Sequence, residues 1–102
     1  MTSLFRLVPL DGSAPLEVLS KFVVLGRSRY GCEVRVNHPS VSRRHCELTW
    51  LADTLFVRDL DSRHGTRVNG QLIHETVLRS GDELTFGACR FVVELAATAQ
   101  SR

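Results

Sequence analysis

Hydrophobic and polar residues alternate along this chain with a period of two, and no window keeps a helical period beyond about two turns. The segment HCELTWL, residues 45–51, sets Cys46, Leu48 and Trp50 against His45, Glu47 and Thr49, as a half-buried strand does. The same reading predicts strands at 3–9, 15–18, 21–26, 33–36, 45–51, 54–59, 66–68, 71–73, 82–86 and 89–94. Turn residues separate them at short intervals: Asp11-Gly12, Gly31, Asn37 with Pro39, Asp53, Gly65, Asn69-Gly70, Gly81-Asp82 and Gly87. Many short strands with frequent turns predict an all-β sandwich or barrel.

Composition narrows the picture. A chain of 102 residues with 43% hydrophobic and 24% charged residues is one domain of ordinary soluble character. Its apolar runs are too short to span a membrane, and MTSLFRLVPL lacks the parts of a signal peptide. Cys32, Cys46 and Cys89 are odd in number and widely spaced, which predicts free thiols and a cytoplasmic location. The domain is expected to fill residues 1–95. Residues 96–102, AATAQSR, read as a frayed tail or the start of a linker. Met1, just before the first strand, favours a natural start, whereas the other end is open to extension.

Charge changes the picture further. Residues 27–67 carry eight arginines against five acids, while the remainder carries five Lys or Arg against six acids. Twelve of the thirteen cations are arginine, the side chain that grips phosphate with a planar fork. Three polar loops hold most of this chemistry: Gly26-Arg27 at a strand end, HPSVSRRH at 38–45, and DSRHGT at 61–66.

The run GR, then SRRH with its serine fifteen residues after Arg27, then DLDSRHGTRVNG, then LRSGDELTFG resembles the forkhead-associated (FHA) domain family. The resemblance covers about Phe5 to Leu95. It implies a two-sheet β-sandwich of about eleven strands that binds threonine-phosphorylated proteins through loops at one end. It also implies roles for particular residues. Arg27, Ser42, Arg43, Arg63 and His64 are the expected phosphopeptide-binding set, with the hydroxyl and the backbone N–H of Ser42 both available to phosphate oxygens. Gly26, His45, Gly65, Thr66, Asn69 and Gly70 are expected to support the site, His45 by bracing the serine loop and Asn69-Gly70 by forming a tight turn. The dianion itself, with a charge of about −1.5 to −2 and three strong acceptor oxygens, calls for these donors. Preference for threonine is implied by the family.

His64 departs from the pattern, since the family most often carries Asn there. Histidine tolerates positive φ better than most residues, and its ring can donate one hydrogen bond and accept another. Our expectation is that His64 takes over the amide's role and that its protonation strengthens phosphate attraction. Arg29 and Arg67 steer acidic peptides at most; solvated surface arginines are the simpler reading. Arg44 is expected to face solvent.

Rival chemistries fit less well. GRSRYG has the glycine spacing of a P-loop, but Cys32-Glu33 stand where Lys and Ser or Thr belong, and no helix follows. Ser, His and acids occur, yet no G-x-S-x-G elbow does. His45 and Cys46 are adjacent strand positions and are expected to point to opposite faces, which argues against a metal site. The chain therefore reads as a binding module, not an enzyme, needing no cofactor, metal or small-molecule substrate. The alternatives are an arginine-rich nucleic-acid binder, disfavoured because Tyr30 is the only tyrosine and Trp50 reads as core, and an FHA-like scaffold that binds partners without phosphate.

Overall fold

The computed structural model of the protein describes residues 3–96. The expected tail therefore lies, beyond Ala96, outside the described residues. Eleven strands follow one another: β1 (Phe5–Pro9), β2 (Leu16–Val18), β3 (Phe22–Gly26), β4 (Val34–Arg35), β5 (Cys46–Leu51), β6 (Thr54–Asp59), β7 (Thr66–Val68), β8 (Gln71–Ile73), β9 (Glu75–Leu78), β10 (Glu83–Phe86) and β11 (Cys89–Leu95). They form two sheets, one ordered β2-β1-β11-β10-β7-β8 and the other β4-β3-β5-β6-β9. The expected all-β, two-sheet sandwich is thus the architecture found. Among the described residues no helix is long and apolar enough to cross a membrane.

Ten strands coincide with the pattern-based expectation to within two residues, and β6, β7 and β8 have the expected bounds. β9 was not anticipated. Its exposure runs from open at Glu75 to closed at Leu78, with no alternation, because it is an edge strand paired only with β6. No Gly, Pro or Asn separates it from β8, although the chain passes from one sheet to the other at His74.

The core lies between the inner faces. Phe5, Leu7, Leu84, Phe86, Phe91 and Val93 come from one sheet; Val23, Leu25, Leu48, Trp50, Leu55 and Val57 come from the other. In β5, Cys46, Leu48 and Trp50 are buried while Glu47 and Thr49 are half-exposed, so the alternation holds there. His45 breaks it. It precedes the strand and is as fully buried as Cys46, because its ring is drawn inward by hydrogen bonds between loops.

Registers fix which strand ends meet. Leu25 pairs with Cys46 and Cys46 with Asp59, so the end of β3, the start of β5 and the end of β6 share one end of their sheet. Phe86 pairs with both Thr66 and Cys89, which aligns the start of β7, the end of β10 and the start of β11. The His45 ring sits 5.6 Å from that of Phe86, which brings these two sets of ends together. The loops 27–33, 36–45 and 60–65 all issue from this end.

Candidate functional site

Two short stretches of backbone come together first. Gly26 lies so close to the carbonyl of Arg43 that any Cβ would collide with it, which is the physical reason for glycine before Arg27. The Arg27 N–H donates to the Ser42 carbonyl (2.9 Å), and the Ser28 N–H donates to the Arg43 carbonyl (3.1 Å). The Cys32 thiol also points at that carbonyl, at 3.1 Å. Arg27 is half-buried and uses its Nε on the Val41 carbonyl at 2.9 Å, which orients the guanidinium while leaving its two terminal nitrogens free of protein acceptors among the described residues.

His45 ties the second stretch to the third. Its Nδ1 accepts from the Ser42 N–H at 3.0 Å, and its Nε2 then donates to the Gly65 carbonyl at 2.8 Å. Its own N–H donates to Leu25, and its carbonyl accepts from Leu60. Every polar group of His45 is engaged, and its ring links the serine loop to the 60–65 loop. Among the described residues no three His, Cys, Asp or Glu side chains come together as metal ligands.

Ser42 needs a correction. Both its N–H and its hydroxyl were expected to face a ligand, but the N–H is already held by His45. The hydroxyl oxygen accepts from the Arg63 N–H at 3.0 Å, which leaves the hydroxyl proton available to an outside acceptor. That contact also brings the 60–65 loop onto the serine loop, so Arg27, Ser42 and Arg63 are joined by direct hydrogen bonds. His64 follows Arg63 with an exposed ring that has no hydrogen-bond partner among the described residues. The positive φ expected to be tolerated there falls instead on Asp61 (58°) and Gly65 (82°). Arg43 and Arg44 are both exposed, Arg43 at the rim of the serine loop.

Asp59 was missed in the sequence, and it organises the third loop. Its carboxylate accepts from the Ser62 hydroxyl (2.6 Å), the Ser62 N–H (3.0 Å) and the hydroxyl of buried Thr66 (2.6 Å). Ser62 in turn accepts from the Gly65 N–H at 2.9 Å. Burial alone would raise the Asp59 pKa, but the hydroxyl bonds from Ser62 and Thr66 and the Ser62 N–H together hold it below its ordinary value of 3.8. The signal in the sequence was D-x-x-S followed by Thr, a short acceptor with two hydroxyls within reach. Thr66 is thereby tied to the same carboxylate that holds the 60–65 loop. Asn69 and Gly70, with φ of 52° and 85°, form the β7–β8 turn at the other end of β7, where the Asn69 amide bonds Asp82 and the Glu83 N–H.

Electrostatics follow from where ion pairs form. The four in the described residues join Arg6 to Glu17 and Glu94, Arg58 to Glu47, and Arg90 to Glu83, all between strand residues and none within these loops. Arg27, Arg43 and Arg63 have no carboxylate partner among the described residues. Backbone bonds thus bring the segments that carry Arg27, Arg43 and Arg63, none of them paired with a carboxylate among the described residues, up to the Ser42 hydroxyl, an arrangement that suits an oxyanion.

Loop-borne donors at one end of a two-sheet β-sandwich define a small recognition module. The model of the FHA domain family matches residues 23–87, and the chain belongs to that family. It is 32% identical over 72 residues to the FHA domain-containing protein FhaA of Mycobacterium tuberculosis, and 40% identical over 57 residues to the uncharacterized protein ZK632.2 of Caenorhabditis elegans. Those matches cover 71% and 49% of this chain but only 14% and 8% of the two relatives, so the chain spans a small part of their length. Among solved structures, one from a study of phosphothreonine-dependent FHA domain interactions superposes with a TM-score of 0.83 at 29% identity, over 90% of this chain and 96% of its own. The FHA domain of FhaA, solved in complex with the intracellular domain of another protein, gives 0.81 at 30% identity, over 88% and 99%.

Proposed function

We propose that this domain is a phosphothreonine-dependent protein–protein interaction module occupying residues 1–95, with Arg27, Ser42, Arg43, Arg63 and His64 as its phosphopeptide-binding residues. The single observation that carries this is the linking of Arg27, Ser42 and Arg63 by direct hydrogen bonds at a rim whose three arginines, Arg27, Arg43 and Arg63, lack counter-ions among the described residues. Kinship supports the choice of ligand, since a structural relative at 29% identity comes from work on phosphothreonine-dependent FHA interactions. In the proposed mode, the Arg27 fork and the Ser42 hydroxyl donate to phosphate oxygens, and Arg43 adds a second cation. Arg63 and His64 hold the peptide main chain on the opposite wall. The act is recognition without bond making, so no catalytic group or cofactor is assigned. Three free cysteines support a reducing, cytoplasmic setting.

Three or four charge-assisted hydrogen bonds at roughly 1.5–3 kcal/mol each approach the roughly 8 kcal/mol of a micromolar complex. The test is a matched peptide series bearing phosphothreonine, phosphoserine or threonine, titrated against wild type, Arg27→Ala and Ser42→Ala. Micromolar binding of the phosphothreonine peptide is expected, with no binding of the threonine peptide and a loss of about tenfold or more in either variant. Equal binding of phosphorylated and unphosphorylated peptides would favour the phosphate-independent scaffold instead.

A further inference from the structure

Beside the proposed phosphate rim, on the flank formed by the 60–65 loop and the β7–β8 hairpin, lies an open recess of about 480 Å³. Leu72 and Ile73 supply its aliphatic part. Leu72 is 59% exposed, and its Cδ1 lies 2.5 Å from where a Cβ on Gly65 would sit, so the side chain packs against the loop at that glycine. Arg67 faces Leu72 across the β7–β8 ladder, and Arg63 and His64 form the wall shared with the rim. Arg67 makes one long hydrogen bond, 3.4 Å to the Gly70 carbonyl, and no ion pair among the described residues. Of the acids lining the recess, Asp59 is engaged by Ser62 and Thr66, while Asp61 makes no ion pair among the described residues. The recess thus sets Leu72 beside Arg63 and Arg67, and it adjoins the proposed phosphate rim through Arg63, whose N–H bonds the Ser42 hydroxyl.

We propose that this recess takes a carboxylate side chain, glutamate or aspartate, close in sequence to the phosphothreonine of the partner. The methylenes lie on Leu72 and the charge faces Arg67 and Arg63. The inference rests on the phosphopeptide reading and adds to it the class of partner: a phosphorylated segment that is also acidic. Arg67 is then a specificity-determining residue and has no part in holding the phosphate.

The test uses the whole chain and a phosphothreonine peptide in which one glutamate is walked through the flanking positions, each version matched by glutamine. The expected result is a glutamate preference of about threefold to fivefold at one or two positions, the size of an exposed ion pair, lost at raised salt. Arg67→Glu should abolish or reverse that preference without abolishing binding of the glutamine peptides. Arg79→Glu makes the same change in net charge at the opposite end of the sandwich and should leave the preference intact. Glutamate and glutamine peptides binding alike at every position overturn the inference while the phosphothreonine reading stands. Equal effects of Arg67→Glu and Arg79→Glu overturn it too, because the preference would then be a property of overall charge. Failure of every phosphothreonine peptide to bind overturns the reading beneath it.

Discussion

At Asp59 three protons are aimed at one half-buried carboxylate, and two of them come from the loop that carries Arg63 and His64. An acceptor held this way has its folded-state pKa depressed below 3.8, so its stabilising contribution is fully present above that value and is lost as pH falls through the depressed one. Asp59→Asn turns an acceptor-only group into one with two donors facing donors. The expected loss is about 1.5–3 kcal/mol of stability at neutral pH, as for hydrogen bonds to a charged group. Denaturant unfolding of both proteins at neutral pH and again in acid below 3.8 checks it. The gap between them should narrow progressively as pH falls below 3.8 toward the depressed folded-state value, because the unfolded wild type takes up the proton first. A gap of constant size would mean that the charge is not what holds Ser62 and Thr66. His45 works by the same logic with a neutral ring, linking Ser42 to Gly65 through its two nitrogens. The difference is that the bracing role of His45 was implied by the family resemblance, whereas Asp59 resembled any acid at a strand end until its partners were known.

Among the elements, the hairpins show where local sequence and local backbone agree and where they do not. Asn69-Gly70 is the preferred pair for a two-residue turn with both residues left-handed. The β5–β6 turn has the same geometry, with φ of 52° and 60°, but is built from Ala52-Asp53. A left-handed alanine costs about 1–2 kcal/mol, and asparagine adopts that conformation more readily. Ala52→Asn should therefore raise stability by about 0.5–1 kcal/mol, which in a domain near this size moves the melting temperature up by about 2–8 °C. Thermal unfolding measures it, and a lower melting temperature would contradict the left-handed turn. Most strands were readable because each has one buried and one open face, so apolar residues recur every second position. β9 was not, since an edge strand entered directly from β8 has neither alternation nor punctuation. His45 was placed on the wrong side of its neighbour for a related reason. Period-two reasoning holds inside a strand, and this residue stands one position before it.

For the molecule as a whole, the decisive property is that opposite charges pair along the sheets and leave Arg27, Arg43 and Arg63 without carboxylate partners among the described residues. The net charge of +2 conceals this, because it sums an end that is positive with sides that are nearly balanced. Sequence order alone showed an excess of arginine in residues 27–67; it took the strand registers to bring Arg27, Ser42 and Arg63 together. The same distribution separates the two classes of anionic partner. A nucleic-acid surface spreads its cations along many phosphates, so affinity falls about 10³–10⁵-fold between 50 and 200 mM salt when six to ten contacts are made. A rim that closes on a single dianion releases few counter-ions, and its strongest contacts are short charge-assisted hydrogen bonds, which salt screens less than distant charges. Phosphothreonine peptide affinity should accordingly fall by less than about tenfold over that range, and Arg27→Ala should lower affinity at every salt concentration. Tyr30, 81% exposed, is a lone aromatic on the 27–33 loop and offers no row of stacking platforms to hold a single strand. If affinity for a phosphothreonine peptide proved as steep in salt as duplex binding, the contacts would have to be spread over the arginine-rich surface, and convergence on one phosphate would lose its support.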